Sequence, residues 1–330
     1  VVVRPFGEVN SSYCSYLFRT AAYMQEVNKF SRGIVADRNR LYWEAFKQMP
    51  SLVPPRPEQD QIVAYLRAQD AHIARFIKAK RDLIGLMTEQ RSVRAEQAAS
   101  LTDTQWLRLD MVVQLLARPI ERQSANAYTP IGMFNRGRGI FHKQACLGRD
   151  LGDSTFFPIT EGDLIFSGQF AWEGAIGVAS SEDDGCVASH RYPIAKCNLD
   201  VVTPEYLFTF FMGEAGELLL NQHSRGAAGR NRPLNPRSLL KEKIPVPPIR
   251  RQREISDLFH EEQSVRREVE KEIALIREYR DRLIADVITG QVDVRDWRPG
   301  PDDIVSDEEL AALGDDEEVE PDAEEADGED

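Results

Sequence analysis

The chain has 330 residues, with 41 Lys and Arg against 54 Asp and Glu and a formal net charge of −13. That length accommodates two domains of ordinary size, each with a buried core. No run of eighteen apolar residues and no export-type segment occurs, so no membrane partner is expected and a cytoplasmic location is predicted, in keeping with four sparse cysteines (Cys14, Cys146, Cys186 and Cys197) that do not make a disulfide framework.

Residues 1–53 have a relative downstream. An offset of 193 positions sets Pro54-Pro55 on Pro247-Pro248, Gln59 on Gln252, Ile62 on Ile255 and Leu66 on Phe259. The same offset aligns Ser31-Arg32-Gly33 with Ser224-Arg225-Gly226, and a three-residue slip brings Tyr16-Leu17-Phe18 onto Tyr206-Leu207-Phe208. A repeat of this length must be explained before any local feature. About a hundred residues separate Trp106 from Tyr206 in the second copy, whereas fifteen precede Tyr16 in the first. Residues 1–53 are therefore expected to be the C-terminal remnant of a first domain truncated at its N-terminal side.

Residues 54–100 read as a long helix that begins after a Pro-Pro pair, since proline ends an extended segment and suits a helix start. Its apolar seam advances by alternating steps of four and three through Ile62, Leu66, Gln69, Ile73, Phe76, Lys80, Leu83 and Met87. Residues 247–297 repeat the pattern through Ile255, Phe259, Glu262, Arg266, Val269, Ile273, Ile276, Arg280, Leu283 and Val287. Both are heptad seams. The polar seam positions disfavour a parallel homodimer, in which like charges would face each other. They favour two unlike helices pairing within one chain, each on the order of 60 Å long at about 1.5 Å per residue. Such a pair is a spacer.

Residues 101–246 form a second head of mixed character. Short β-rich runs at 128–131, 162–166 and 176–179 are punctuated by Gly, Asp and Ser, and one helix is predicted from Pro204 to about His223. A Gly- and Arg-rich loop, SRGAAGRNRPLN, then leads into the extended run Lys243-Ile244-Pro245-Val246. The fold class is accordingly α/β (α+β) for the head, with two long coiled-coil helices.

The last segment, 298–330, holds the charge. From Pro299 to Asp330 there are sixteen acidic residues and no Lys or Arg, which leaves 38 acidic against 41 basic side chains in residues 1–298. A run of like charge without aromatic residues cannot bury enough surface to fold, so a disordered, solvating tail is predicted. A sharper reading makes it an internal competitor of DNA phosphates.

Signatures of catalysis are missing. The chain contains no Gly-x4-Gly-Lys-Ser/Thr loop for ATP, no Gly-x-Gly-x-x-Gly after a strand, and no Lys with Asp, Glu or Gln two positions before it. His142, Cys146, Cys186, His190 and Cys197 follow no recognised zinc spacing. Neither catalytic residues nor a metal or cofactor site is expected.

Taken together, VPPRPEQDQIVAYL (53–66), VPPIRRQREISDLF (246–259), GDLIFS (162–167), DRLIADVITGQVDVRDW (281–297) and the repeat resemble the specificity (S) subunits of type I restriction-modification systems over residues 16–297. The resemblance implies target-recognition domains, each reading half of a bipartite double-stranded DNA site, held apart by two antiparallel helices. It implies docking of methyltransferase subunits and recruitment of an endonuclease/translocase subunit. S-adenosylmethionine, ATP and Mg would then belong to the partners. The near-absent first domain and the acidic tail depart from that pattern. A coiled-coil interaction protein without a DNA role and an inactive remnant are the alternatives.

DNA reading needs phosphate contacts for positioning and side chains that reach base edges. The loop 224–243 offers Arg225, Arg230, Asn231, Arg232 and Lys241, and the first copy carries Arg32, Arg38, Asn39 and Arg40 at the matching place. Arg and Asn suit bidentate contacts to guanine and adenine. FNRGRGIFHK (134–143) adds Arg136, Arg138 and Lys143, while Gln169 and Arg191 are weaker candidates. Residues 106–245 hold fifteen basic and fifteen acidic side chains, so binding is expected to rest on a local face.

Overall fold

The computed structural model describes residues 7–33, 39–116, 118–226, 232–306 and 308. Helices α1 (Ser11–Arg19), α2 (Ala21–Phe30) and α3 (Trp43–Phe46) precede the long α4 (Arg56–Ala99). There follow β1 (Gln105–Arg108), α5 (Leu109–Val112), β2 (Val113–Leu115), β3 (Ala127–Tyr128), β4 (Ile131–Met133), β5 (Ile140–His142), β6 (Cys146–Leu147), β7 (Phe156–Pro158) and β8 (Leu164–Phe166). Then come β9 (Ile176–Val178), β10 (Val187–Ser189), β11 (Ile194–Cys197), α6 (Pro204–Met212), α7 (Glu214–His223), α8 (Pro236–Leu239), β12 (Lys243–Val246) and the second long helix α9 (Ile249–Ile288). Among the described residues the chain divides into two compact units, one of residues up to 83 with those from 265, the other of residues 84–264.

In the second unit a four-stranded antiparallel sheet runs in the order β2-β11-β8-β9, with β4–β5, β7–β10, β3–β6 and β1–β12 as separate antiparallel pairs. Successive strand residues face opposite sides. Leu164 and Phe166 of β8 therefore join a core with Tyr206, Leu207 and Phe211 of α6 and with Ala95, Ala98, Ile255 and Phe259 of the long helices, while Ile165 joins Ile131, Met133 and Ile194 on the other face. Two faces to bury explain why GDLIF reads as a continuous apolar run. The predicted run at 128–131 is interrupted: β3 ends at Tyr128 and β4 starts at Ile131, with Pro130, which has no N–H to donate, between them.

The helix predicted from Pro204 to His223 is two helices. Gly213 takes an extended conformation (φ −89°, ψ 167°) and ends α6 as it starts α7. In the first unit Thr20 does the same between α1 and α2 (φ −70°, ψ 141°), 193 positions earlier. The repeat holds this register throughout, without the three-residue slip. Asn10 and Thr203 cap α1 and α6. The Tyr13 hydroxyl donates to Leu52 O at 2.9 Å, and that of Tyr206 to Pro245 O at 2.6 Å. Tyr206 thus corresponds to Tyr13, and the slip arose from the coincidental Tyr-Leu-Phe at 16–18.

One side chain ties each helix start to its head. Gln59 Nε2 donates to Pro54 O (2.7 Å) and Glu8 O (3.3 Å), and its Oε1 accepts from Asn10 N at 2.8 Å. Gln252 Nε2 donates to Pro247 O (2.7 Å) and Val201 O (2.8 Å), and its Oε1 accepts from Thr203 N at 2.8 Å. Every partner is offset by 193. The Pro-Pro segments leave carbonyls that no helix bond satisfies, and a buried amide offers donors and an acceptor at once.

Within the first unit α4 and α9 run antiparallel, joined by Asp70–Arg280 (2.8 Å) and Lys80–Glu272 (2.6 Å). All ten seam positions predicted on α9 are buried or half-buried, but on α4 Phe76 and Leu83 are exposed and their neighbours Ile77 and Ile84 are buried instead. The buried stripe of α4 passes through Ile62, Leu66, Asp70, Ile73, Ile77 and Ile84 to Arg91, Ala95 and Ala98. Two consecutive steps of four, Ile62 to Leu66 to Asp70, move the stripe one residue off the predicted seam, and from Asp70 it keeps steps of seven through Ile77, Ile84, Arg91 and Ala98, the heptad period of a paired helix. Beyond α9, residues 294–303 lie along α4. Gln61 Nε2 donates to Val294 O and Trp297 O, Trp297 meets Tyr65 edge to face, and His72 bonds Asp303 at 2.7 Å.

Candidate nucleic-acid interface

Three loops of the second unit meet at Gly168. Its N–H donates to Arg191 O (2.6 Å), and its carbonyl accepts from Leu234 N (2.8 Å). A Cβ here would lie 2.4 Å from Arg191 O, so only glycine lets these backbones approach. Ser167 Oγ accepts from Gln169 N (3.3 Å) and Phe170 N (3.0 Å), turning the chain into the short helical segment Ala171–Glu173. The turn at 134–139 docks on it: Arg136 N donates to Glu173 O (2.9 Å), Gly137 N to Gly174 O (2.8 Å), and Asn135 Nδ2 to Glu173 Oε2 (2.5 Å).

The cations follow from this frame. Arg232 lays its guanidinium 4.5 Å from the ring centre of Trp172, while its Nε and Nη2 donate to Ser224 O (3.3 Å) and Asn221 O (3.4 Å). Arg138 sits over Phe134 at 5.0 Å and donates to Asn135 O. An antiparallel bridge between Ser224 and Leu234 closes the Gly/Arg-rich loop, and Arg32 with Arg40 closes the matching loop of the first unit. Arg225 lies at the loop's root with Nε on Gln222 O, beside a cleft of about 1030 Å³ that is also lined by His223 and Arg237.

Of the predicted contact residues, Arg136, Arg138, Gln169, Arg191, Arg225 and Arg232 lie on these converging segments. Lys143 does not. It follows β5, and Ile131↔His142 forms the end of the hairpin opposite the 134–139 turn. Lys241 lies beyond α8, next to the β1–β12 pair. Arg230 and Asn231, like Arg38, fall outside the described residues. Sequence reasoning passed over Glu173 and Ser224, although Ser-Gly and Glu-Gly dipeptides on either side of Trp172 are turn signals.

The residues weighed as metal ligands have other surroundings. His142 Nε2 bonds Asp183 Oδ1 at 2.8 Å. Burial, reinforced by Glu205 and Asp163, pushes the Cys197 thiol up to about 12, and burial raises that of Cys186 as well. Among the described residues no group of three or more His, Cys, Asp or Glu is placed to hold a metal ion. Nor is any described helix long and apolar enough to cross a membrane.

No family model matches the chain, and no curated protein does. Solved chains similar to it exist. One is the HsdS subunit from Thermoanaerobacter tengcongensis, at 14% identity over 86% of this chain and 71% of that one, with a TM-score of 0.38. Another belongs to a type I R-M system described for its complex assembly and conformational transition, at 15% identity over 85% and 71%, with a TM-score of 0.49. A third is the S subunit of the type I restriction-modification system from M. genitalium, at 13% identity over 85% and 73%, with a TM-score of 0.46.

Proposed function

We propose that this chain is the DNA sequence-recognition subunit of a type I restriction-modification complex. Residues 101–246 are its target-recognition domain, reading one half of a bipartite site, and residues 54–100 and 247–297 are helices that dock methyltransferase subunits. The chain performs no catalysis of its own. S-adenosylmethionine, ATP and Mg act in its partners, the methyltransferase and an endonuclease/translocase.

One observation carries this reading: three loops from distant parts of the chain, bearing Arg136 and Arg138, Arg191, and Arg225 and Arg232, are bound together along the turn 167–174. A protein that served only as a spacer has no use for converging cationic loops on a rigid frame. Loops held by a scaffold are where binding residues concentrate. In this reading Arg136, Gln169 and Arg232 face base edges, while Lys143, Arg191, Arg225, Arg230, Asn231 and Lys241 approach the backbone.

The test is a gel-shift titration of the full chain, with and without a co-expressed methyltransferase subunit, on a randomised duplex pool followed by sequencing. Selection of a consensus, with affinity that falls as salt rises, is the expected result. Arg232→Ala should lower specific affinity by about 1–3 kcal/mol, while Lys241→Ala should weaken all duplexes alike and reduce the salt slope by about 1. Failure to select any sequence in either form would leave the coiled-coil interaction protein as the better reading.

A further inference from the structure

We propose that Asn135 and Trp172 together read the edge of an adenine, and that Glu173 is the positioning residue that holds them ready. This rests on the DNA-recognition reading above. The turn that carries Asn135 is strained. Arg136 has a φ of 59°, the left-handed conformation that β-carbon-bearing residues avoid, and no other non-glycine among the described residues adopts it. Two backbone bonds to Glu173 O and Gly174 O, with the Asn135–Glu173 side-chain bond, hold it there. Strain kept in place by surrounding bonds is characteristic of binding elements.

The second observation is a set of buried polar atoms without partners. A carboxylate only accepts, so the Asn135 amide must turn its nitrogen to Glu173, and its Oδ1 is left unpaired in a residue 5% exposed. Trp172 Nε1, a donor only, is also buried and unpaired, as is the hydroxyl of Ser224. All three belong to one connected place. Asn135 bonds Glu173, Trp172 adjoins it in sequence, and Arg232 lies on Trp172 while bonding Ser224 O. Buried polar groups are nearly always satisfied, so three together mark a site that awaits a polar partner.

The chemistry of the unpaired atoms selects that partner. An acceptor on Asn135 and a donor on Trp172, carried on two turns joined through Glu173, complement a base edge that offers an amino hydrogen and a ring acceptor, and in the major groove adenine alone presents N6–H with N7. Guanine offers two acceptors, cytosine a donor and thymine an acceptor. Arg232 covers the indole and is held by two long bonds, 3.3 and 3.4 Å, to carbonyls. It is the piece that can swing off the indole to a neighbouring base edge as the duplex enters.

The experiment uses the full chain and the consensus selected by the wild type. Asn135→Ala and Trp172→Phe should each lose selection at one adenine, with a 10–100-fold fall in the ratio of specific to non-specific affinity, while affinity for a mixed-sequence duplex stays within about twofold. Glu173→Gln should give a smaller fall at the same position. Replacing that adenine by 7-deazaadenine should weaken the wild type, an atom-level readout that does not depend on how well any variant folds, and should leave Trp172→Phe no weaker than before. A wild-type consensus with no adenine that responds to 7-deaza substitution, or an unchanged consensus in both variants, overturns the inference and leaves the proposed function standing. A wild type that selects nothing overturns both.

Discussion

Arg91 donates from Nε to Glu262 Oε2 at 2.8 Å with both side chains almost wholly out of water, 3% and 2% exposed. Arg91 Nη1 also reaches the Thr209 hydroxyl (2.5 Å), Thr88 donates to the other Glu262 oxygen (2.8 Å), and the guanidinium packs against the rings of Phe208 and Phe259, which meet edge to face. The group joins α4, α9 and α6 within one unit. Desolvating both charges offsets most of their attraction, so the net contribution is expected in register rather than stability. Arg91→Ala, which removes the guanidinium from a buried carboxylate, should destabilise by about 3–5 kcal/mol, whereas replacing both by Met should cost far less. Urea unfolding of the single and double variants separates the two. An additive result would contradict the pairing.

The other unit solves the same problem with different residues. Tyr16 donates to Asp70 at 2.6 Å, and Asp70 accepts from Arg280 at 2.8 Å. Tyr16 and Thr209 occupy one repeat position, so each head helix offers a hydroxyl to a carboxylate–guanidinium pair on the long helices. Burial, with the Asp70 charge next, raises the phenol's pKa, so it remains a donor across the accessible pH range. Tyr16→Phe should cost roughly 1.5–3 kcal/mol, the worth of a hydrogen bond to a charged group. A thermal melt that leaves Tyr16→Phe indistinguishable from the wild type would sink this.

Polar residues on both seams were legible as a sign of unlike helices, because like charges cannot face each other across a symmetric dimer. The α9 seam could be read residue by residue around Val269 and Ile273, whose neighbours in sequence are Glu268, Glu270, Glu272 and Ala274, whereas Leu283 has the equally buried Ile284 beside it. On α4 two apolar residues stand side by side at 76–77 and at 83–84, and periodicity cannot choose between them. The break at Gly213 was hidden because α6 and α7 both continue an apolar pattern; only Thr20, at the same repeat position, hints at it. The basic character of 134–143 and 224–243 was visible, but the place of Arg232 on Trp172 depends on a contact sixty residues away in sequence that no local pattern encodes.

The strap of residues 294–303 has a pH signature. A bond from His72, then one from Gly300 N, lowers the pKa of Asp303 below the usual carboxylate range. A depressed folded-state value means that the contribution is present above the unfolded pKa and is lost as pH falls through the folded one. The strap should therefore stay docked at neutral and mildly acidic pH and loosen only below the ordinary Asp range. Trp297, edge to face with Tyr65 at 5.4 Å, reports it. Its fluorescence should change in that window, and Asp303→Asn should abolish the step; an unaltered titration would refute the assignment.

Charge distribution predicts a role for the last residues without reference to their structure. Positions 309–330 contain twelve Asp and Glu and no Lys or Arg. Deleting them while keeping the strap should leave the thermal midpoint unchanged and strengthen binding to non-specific duplex at low salt, since like charge repels phosphate. Equal or weaker binding would leave the segment a solvating tail only.

Gly216 links helix packing to the candidate site. A Cβ at this position would fall 2.2 Å from Phe210 O and 2.4 Å from Phe211 Cα, so α7 can cross this closely over α6 only without a side chain. The equivalent residue in the other copy is Tyr23, whose ring packs against Phe18 at 4.7 Å instead. Gly216→Ala must push backbone from backbone, an overpacking cost of about 1–3 kcal/mol. Because α7 ends at His223 and Ser224 begins the arginine loop, the displacement reaches Arg232 and its seat on Trp172. Gly216→Ala is therefore expected to weaken specific duplex binding more than Lys143→Ala does, although residue 216 is too deep to touch DNA. Equal losses in the two variants, measured on the selected consensus, would separate the loop's position from the helix beneath it and defeat the argument.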